Sequence, residues 1–241
     1  MQEAITNPTD RISRHSISAA LQKWGCAPVP ASYWHFLHQD ATAAAGFVQS
    51  WERLLQDEFM GDHGTYRFRR YTRLRLQSGQ LSPLDGNSIH QLIEHNPLNG
   101  GVTRTYLPVE ESTLANPVLE QLILNDADLL GLPADKAWMV GIHQVRIVTS
   151  AEQTGLPTPE GIHIDAEMYT VQHLISRKNV EGGCFSAYDQ EKKPILHWLQ
   201  LELFDSVFFL GTTWHSATPI RPRPADAQGH RDILLIDFEP L

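Results

Sequence analysis

Hydrophobic and polar positions change their period part-way along the chain. In RISRHSISAALQKWG, Ile12, Ile17, Leu21 and Trp24 recur at near-helical spacing, and Gly25 is a natural stop. ASYWHFLHQDATAAAGFVQSWERLLQDEF continues the helical texture, with a break near Gly46. NSIHQLIEHN reads as a short helix capped by Asn87 or Ser88. NPVLEQLILNDADLLG predicts another, with Pro117 suited to the first helical position and Gly131 to the exit. Between these, TYRFRRYTRLRLQSG alternates and ends in a Ser-Gly turn, which predicts a strand.

After Lys136 strands dominate. AWMVGIHQVRIVTS and MYTVQHLISR are strand-like, and RKNVEGGCFSAYD reads as a hairpin about Glu181-Gly182-Gly183. LHWLQLELFDSVFFLGTTWHSATPI supplies two strands around a turn at Asp205-Ser206, and HRDILLIDFEP the last one. RPRPADAQGHR is an exposed loop, because Pro222 and Pro224 forbid a regular strand interior. Several short strands with regular turns predict a β-sandwich or double-sheet barrel. Early helices bracing one outer face make the fold class α+β. The expected organisation is a single domain over residues 1–241, helical to about residue 60 and built on sheets from about residue 61.

Composition narrows the function classes. With 41% hydrophobic and 20% charged residues the chain is an ordinary globular one. A formal net charge of −9 disfavours a general role on nucleic acid. The one basic concentration, RFRRYTRLR, places Arg67, Arg69, Arg73 and Arg75 on one side of an extended chain. A charged strand face, or one arginine aimed at a small carboxylate, accounts for it better than a nucleic-acid patch. No apolar run reaches the roughly 18 to 20 residues of a membrane span, and MQEAITNPTDRIS has no signal-peptide core. Cys26 and Cys184 form no disulfide framework and no CxxC site, so the expected location is the cytoplasm.

Candidate chemistry begins in GIHIDAEMYTVQHLIS. If this segment is extended, His163 and Asp165 face one way and Ile164 the other. His215 in GTTWHSATPI follows an apolar VFFL run, at the rim of a sheet, where it can converge on that pair. Two imidazoles and one carboxylate on one face, with the other positions open, match the facial triad of non-haem Fe(II) oxygenases. Two open positions take a chelating 2-oxo acid and one takes O₂. Arg231 opens the final strand and would point inward with Ile233 and Leu235. Its guanidinium can hold the distal carboxylate of 2-oxoglutarate in a bidentate pair. An isolated HxD says little; HxD, a distant strand-end His and a following Arg say much more.

The segment TPEGIHIDAEMYTVQHLISRKNVEGGCFSAYD, with WHSATPI and RDILLIDFEP, resembles the bacterial 2-oxoglutarate/Fe(II) dioxygenases that hydroxylate free L-amino acids, the L-isoleucine 4-hydroxylase family. HNPLNGGVTRTYLP and GIHQVRI resemble it too, so the similarity runs over about residues 60–241. It implies a double-stranded β-helix (jelly-roll, cupin-like) core with His163, Asp165 and His215 as iron ligands and Arg231 as the co-substrate anchor. One departure is Ile164, where that family often carries Arg; the triad stays intact and the substrate stays open.

Other candidates carry alternatives. Gln144 and Arg146 share a face, in the same run as His143, and either reach the amino-acid carboxylate or co-substrate or form a polar outer face. His173 lines the pocket or is a satisfied core histidine. Arg104, in the loop with Asn99, clamps substrate or belongs to a turn. Trp214 is a pocket wall or plain core, and Ser216 is a neighbour that can assist the co-substrate. The expected function is Fe(II)-, 2-oxoglutarate- and O₂-dependent hydroxylation of a small free amino acid with an aliphatic side chain. The alternatives are a non-catalytic jelly-roll protein sensing a small acid and, more weakly, a zinc hydrolase.

Overall fold

The computed structural model describes residues 12–91, 93, 98, 100–223 and 228–241. Helix α1 (Arg14–Trp24) starts with a reciprocal cap between Ser13 and Ser16 and closes at Gly25. It is followed by strand β1 (Cys26–Val29), a 3₁₀ segment (Ala31–His38) and helix α2 (Ala41–Gln49). The long helical stretch is therefore broken at Asp40, whose carboxylate caps α2 through the Ala43 N–H, and not at Gly46, which lies within α2. Strands β2 (Leu55–Gln56), β3 (Arg67–Gln77), β4 (Gln80–Leu84), β5 (Ser88–His90) and β6 (Thr103–Thr105) come next. Helices α3 (Glu111–Leu114) and α4 (Pro117–Leu129) follow, and Asn116 caps the latter ahead of Pro117.

The later half supplies β7 (Trp138–Thr149), β8 (Tyr169–Lys178), β9 (Val180–Gly182), β10 (Phe185–Tyr188) and β11 (Pro194–Trp198). It ends with β12 (Ser206–Leu210), β13 (Trp214–Ala217), β14 (Ile220–Pro222) and β15 (Gly229–Pro240). Among the described residues the main antiparallel sheet runs β1-β12-β8-β15-β7-β3-β2, with β4 added beside β3. A smaller sheet, β11-β10-β13, and the pairs β14-β9 and β5-β6 complete the double-stranded β-helix.

Two expectations about local structure change. Ser88–His90 is a strand, not a helix start: it pairs with Thr103–Thr105, and Ile89 is buried against Tyr71 and Tyr106. Residues 92 and 94–96 of that helical candidate lie outside the described residues. Glu181-Gly182-Gly183 is not a hairpin turn either. β9 pairs with β14 while β10 joins the smaller sheet, so the chain changes sheets at Gly183. Residues 224–227 of the expected loop also lie outside the described residues, and Pro222 is the last residue of β14.

Alternation along the central strands separates two interiors. On β15, Leu234, Ile236 and Phe238 face the helices, where they join Val140, Ile142, Leu119, Leu122 and Trp51 in the main core. Arg231, Ile233, Leu235 and Asp237 face the other way, toward the smaller sheet. The helix side carries the apolar burial that stabilises the sheet at roughly 25 cal/mol per Å², leaving the opposite face available for charged side chains. Replacing fully buried Leu122 by Ala should cost about 2–5 kcal/mol in urea unfolding.

Candidate active site

His163 and Asp165 lie in an irregular segment before β8, not in a strand as their spacing suggests. They share a direction because backbone bonds hold them to β13 and to the turn that leads into it. His163 N–H donates to the His215 carbonyl at 3.1 Å and His215 N–H donates back at 2.9 Å. Asp165 N–H donates to the Gly211 carbonyl at 3.0 Å. That approach requires glycine: a Cβ at position 211 would sit 1.7 Å from the Glu167 carbonyl oxygen.

The result is one ligating atom each from His163, Asp165 and His215, all within 4.8 Å of one another. The Asp165 carboxylate stands 3.7 Å from His163 Nε2 and 3.6 Å from His215 Nε2. Cis ligands around a first-row metal with bonds of about 2.1 Å lie roughly 3 Å apart, so a small contraction closes the triad on an ion. Both imidazoles turn Nδ1 toward a backbone carbonyl, His163 to Gly161 at 3.0 Å and His215 to Thr213 at 3.1 Å. Each Nδ1 therefore carries the proton and each Nε2 offers a lone pair to the cluster. Burial, opposed by Asp165, lowers the His215 pKa to about 4, which keeps the ring in its ligating form. Burial first, then neighbouring carboxylates, pushes Glu167 and Asp237 upward. A divalent cation at the triad relieves this concentration of buried acid, and the donor set fits Fe(II).

The triad opens into a cavity of about 120 Å³. Arg231 lines it at 1% exposure. Its Nη2 donates to Gln200 Oε1 at 2.8 Å, and the same oxygen accepts from Gln172 Nε2 at 2.6 Å. Its Nε and Nη1 are buried without a protein partner. Burial, and then Arg177, pull its pKa down to about 10, the signature of a cation awaiting a counter-charge. A second chain crosses the same sheet, from β3 through β7 to β15. Arg69 donates to His143 Nδ1, and His143 Nε2 meets the Asp237 carboxylate at 2.5 Å. Burial, followed by Arg69, holds His143 well below its ordinary pKa, so a neutral ring links the guanidinium to the acid.

Comparison with known proteins now decides the family. The sequence profile described as 2OG-Fe dioxygenase matches residues 48–237. The chain belongs to the 2OG-Fe dioxygenase family. Its cofactors are therefore Fe(II), 2-oxoglutarate and O₂, and His163, Asp165 and His215 are the facial triad. The dioxygenase is 24% identical over 189 residues to the L-isoleucine-4-hydroxylase of Bacillus thuringiensis, covering 76% of this chain and 78% of that one. It superposes on the crystal structure of IDO from Bacillus thuringiensis with a TM-score of 0.79 at 18% identity, over 98% of this chain and 99% of that one. A bsmA homolog from Methylobium petroleophilum gives 0.83 at 23% identity, over 96% and 94%. These likenesses give the fold. None of the dioxygenase's described helices is long and apolar enough to cross a membrane.

Of the other residues singled out in the sequence, the dioxygenase cavity gathers Arg231, Ser216 and Arg104. Ser216 shares a hydrogen bond of 2.9 Å with the Tyr188 hydroxyl. Arg104 is 3% exposed and donates to Gln91. Gln144, Arg146, His173 and Trp214 do not reach the cavity. Gln144 and Arg146 occupy the helix-facing side of β7, where Gln144 donates to Ser50 at 2.7 Å and Arg146 pairs with Asp232 and Glu52. His173 faces α4 and bridges Asp126 at 2.9 Å and Ser206 at 2.6 Å, with its ring edge-on to Trp34. Its neighbour Gln172 takes the cavity side instead. Trp214 lies under the Lys192 ammonium, 4.1 Å from its ring centre. The sequence reading singles out none of Glu160, Glu167 and Asp237, and places Arg69 only among four arginines of which one can meet a small carboxylate. Alternation had the signal for two of them: Asp237 continues the Arg231, Ile233, Leu235 series, and Arg69 follows Arg67.

Two outcomes follow for iron binding. Iron uptake by metal-free dioxygenase should release protons, because a cation favours the charged forms of acids raised by burial. Affinity should therefore rise between about pH 6 and about pH 8, as read by titration in buffers of different ionisation enthalpy. Gly211→Ala should weaken iron binding by roughly 10-fold or more, as measured by chelator competition, by displacing the Asp165 segment.

Proposed function

We propose that this dioxygenase hydroxylates a free L-amino acid with an aliphatic side chain. The observation that carries the co-substrate assignment is Arg231: a fully buried guanidinium with two unpartnered nitrogens, in the same cavity as the triad. It is the residue we assign to the distal carboxylate of 2-oxoglutarate, with Gln200 fixing its plane. Gln172 locks Gln200 in turn, and Ser216 sits beside the triad to support the co-substrate.

When bound, iron and 2-oxoglutarate supply an oxidant from O₂, with succinate and CO₂ as co-products and one oxygen atom passed to a C–H bond. The chain's own work is placement. Phe185 and Phe209 flank His215, with ring centres 5.8 and 4.6 Å away, and keep water from that side of the triad. Ile89, Val145, Ile233 and Leu235 give the cavity its apolar wall, which suits an aliphatic side chain. The amino-acid assignment draws on that wall and on the similarity to L-isoleucine-4-hydroxylase. Two unpaired cysteines fit a reducing cytoplasm as its setting.

Purified protein with Fe(II), ascorbate, 2-oxoglutarate and air should convert at least one free aliphatic L-amino acid to a product heavier by one oxygen atom, in step with succinate. His163→Ala should abolish both signals in the same mass-spectrometric assay. Arg231→Gln should raise the KM for 2-oxoglutarate roughly 10- to 100-fold, the loss of a charge-assisted pair of about 1.5–3 kcal/mol. Succinate formation with no amino acid modified would refute the substrate assignment. Full hydroxylation by His163→Ala would refute the mechanism.

A further inference from the structure

Glu160 stands outside the facial triad. It sits in the turn preceding His163, its side chain is 9% exposed, and it lines the triad cavity. Its Oε2 is buried without a partner, and its Oε1 lies 3.3 Å from His163 Nε2. With iron on His163 Nε2, that nitrogen has no proton to give Glu160. Neither carboxylate oxygen therefore has a proton donor from the protein, and a buried carboxylate left so is costly. Iron ligation does not fill this need. Three protein ligands leave three positions on an octahedral ion, two for the chelating 2-oxo acid and one for O₂, and a fourth would block the last.

The cavity also holds spare positive charge. Arg67 is neutralised by Asp57 at 2.7 Å. Arg69 and Arg104, from different sheets, each keep a buried Nε without a partner, and Arg104 is 3% exposed. Beyond the triad and Arg231, the cavity thus presents a carboxylate that an iron-bound His163 leaves without a donor, and two guanidinium groups, Arg69 and Arg104, with no carboxylate pair among the described residues. That is the complement of a zwitterion.

We propose that Glu160 reads the α-ammonium of the substrate, while Arg104 and Arg69 take its α-carboxylate. This rests on the amino-acid reading above and makes it specific: the enzyme selects α-amino acids over the same acids lacking the amino group. His143 and Asp237 act as positioning residues that hold Arg69 in line.

The test is calorimetric titration of the anaerobic Fe(II)- and 2-oxoglutarate-loaded enzyme. The probes are L-leucine, L-isoleucine and L-methionine, each beside its des-amino acid: 4-methylpentanoic, 3-methylpentanoic and 4-(methylthio)butanoic acid. Wild type should prefer at least one amino acid by roughly 10-fold or more. Glu160→Gln should shrink that preference below about 3-fold by weakening the amino acid alone, with iron content and 2-oxoglutarate affinity unchanged. Glu160→Asp should recover part of the preference and serves as the test if the Gln variant does not fold. Arg104→Gln should weaken both members of a pair alike. An unchanged preference in both Glu160 variants overturns the proposal, and loss of iron from Glu160→Gln overturns it in favour of a metal-holding role. A wild type that turns over 2-oxoglutarate but binds none of the three amino acids overturns the amino-acid reading itself, and the proposal with it.

Discussion

The site depends on one short piece of backbone pairing. His163 and His215 exchange two N–H···O bonds, at 3.1 and 2.9 Å, across a gap that no regular strand spans. A reciprocal pair of this kind sets two side chains opposite one another, here with ring centres 4.3 Å apart. Asp165 joins them through its own bond to the Gly211 carbonyl. Metal geometry is thus written in main-chain hydrogen bonds, and the imidazole Nδ1 bonds to Gly161 and Thr213 finish the alignment.

A second constraint is the division of labour across the main sheet. Both faces of β7, β8 and β15 are buried, yet they differ in kind. The helix side is an apolar core interrupted by a few polar pairs, Asp126 with His173 and Asp232 with Arg146. The cavity side keeps several polar atoms without protein partners. Stability comes from the first face, and the second holds charges whose partners are to be bound molecules.

How much of this was legible in the sequence follows from the same division. HxD, a later strand-end His and Arg231 were readable because few other structures need that set; alternation turns Arg231 inward, whereas His163 and Asp165 owe their shared direction to backbone bonds in an irregular segment. For the polar residues of β7 and β8 the sequence leaves pocket and packing roles both open, for a physical reason. With both faces of a strand buried, polarity no longer marks the outward side, so Gln144, Arg146 and His173 looked as eligible as His143 and Gln172. They are instead ion-paired or hydrogen-bonded against helices that lie far away in sequence. Trp214 failed differently: it sits next to a ligand in the chain, and adjacent residues on a strand point apart. Ser88–His90 became a strand because a partner, Thr103–Thr105, was within reach, a tertiary choice that helical spacing does not register.

Three protein ligands hold iron beside a carboxylate-seeking Arg231. The most direct test is a crystal structure of the Fe(II)- and 2-oxoglutarate-loaded protein, with the metal located by anomalous scattering at the iron edge. The account predicts an iron peak about 2 Å from His163 Nε2, Asp165 and His215 Nε2, with the far carboxylate of 2-oxoglutarate on Arg231. Iron bound elsewhere, or a 2-oxoglutarate carboxylate held by another residue with Arg231 still unpartnered, would contradict it.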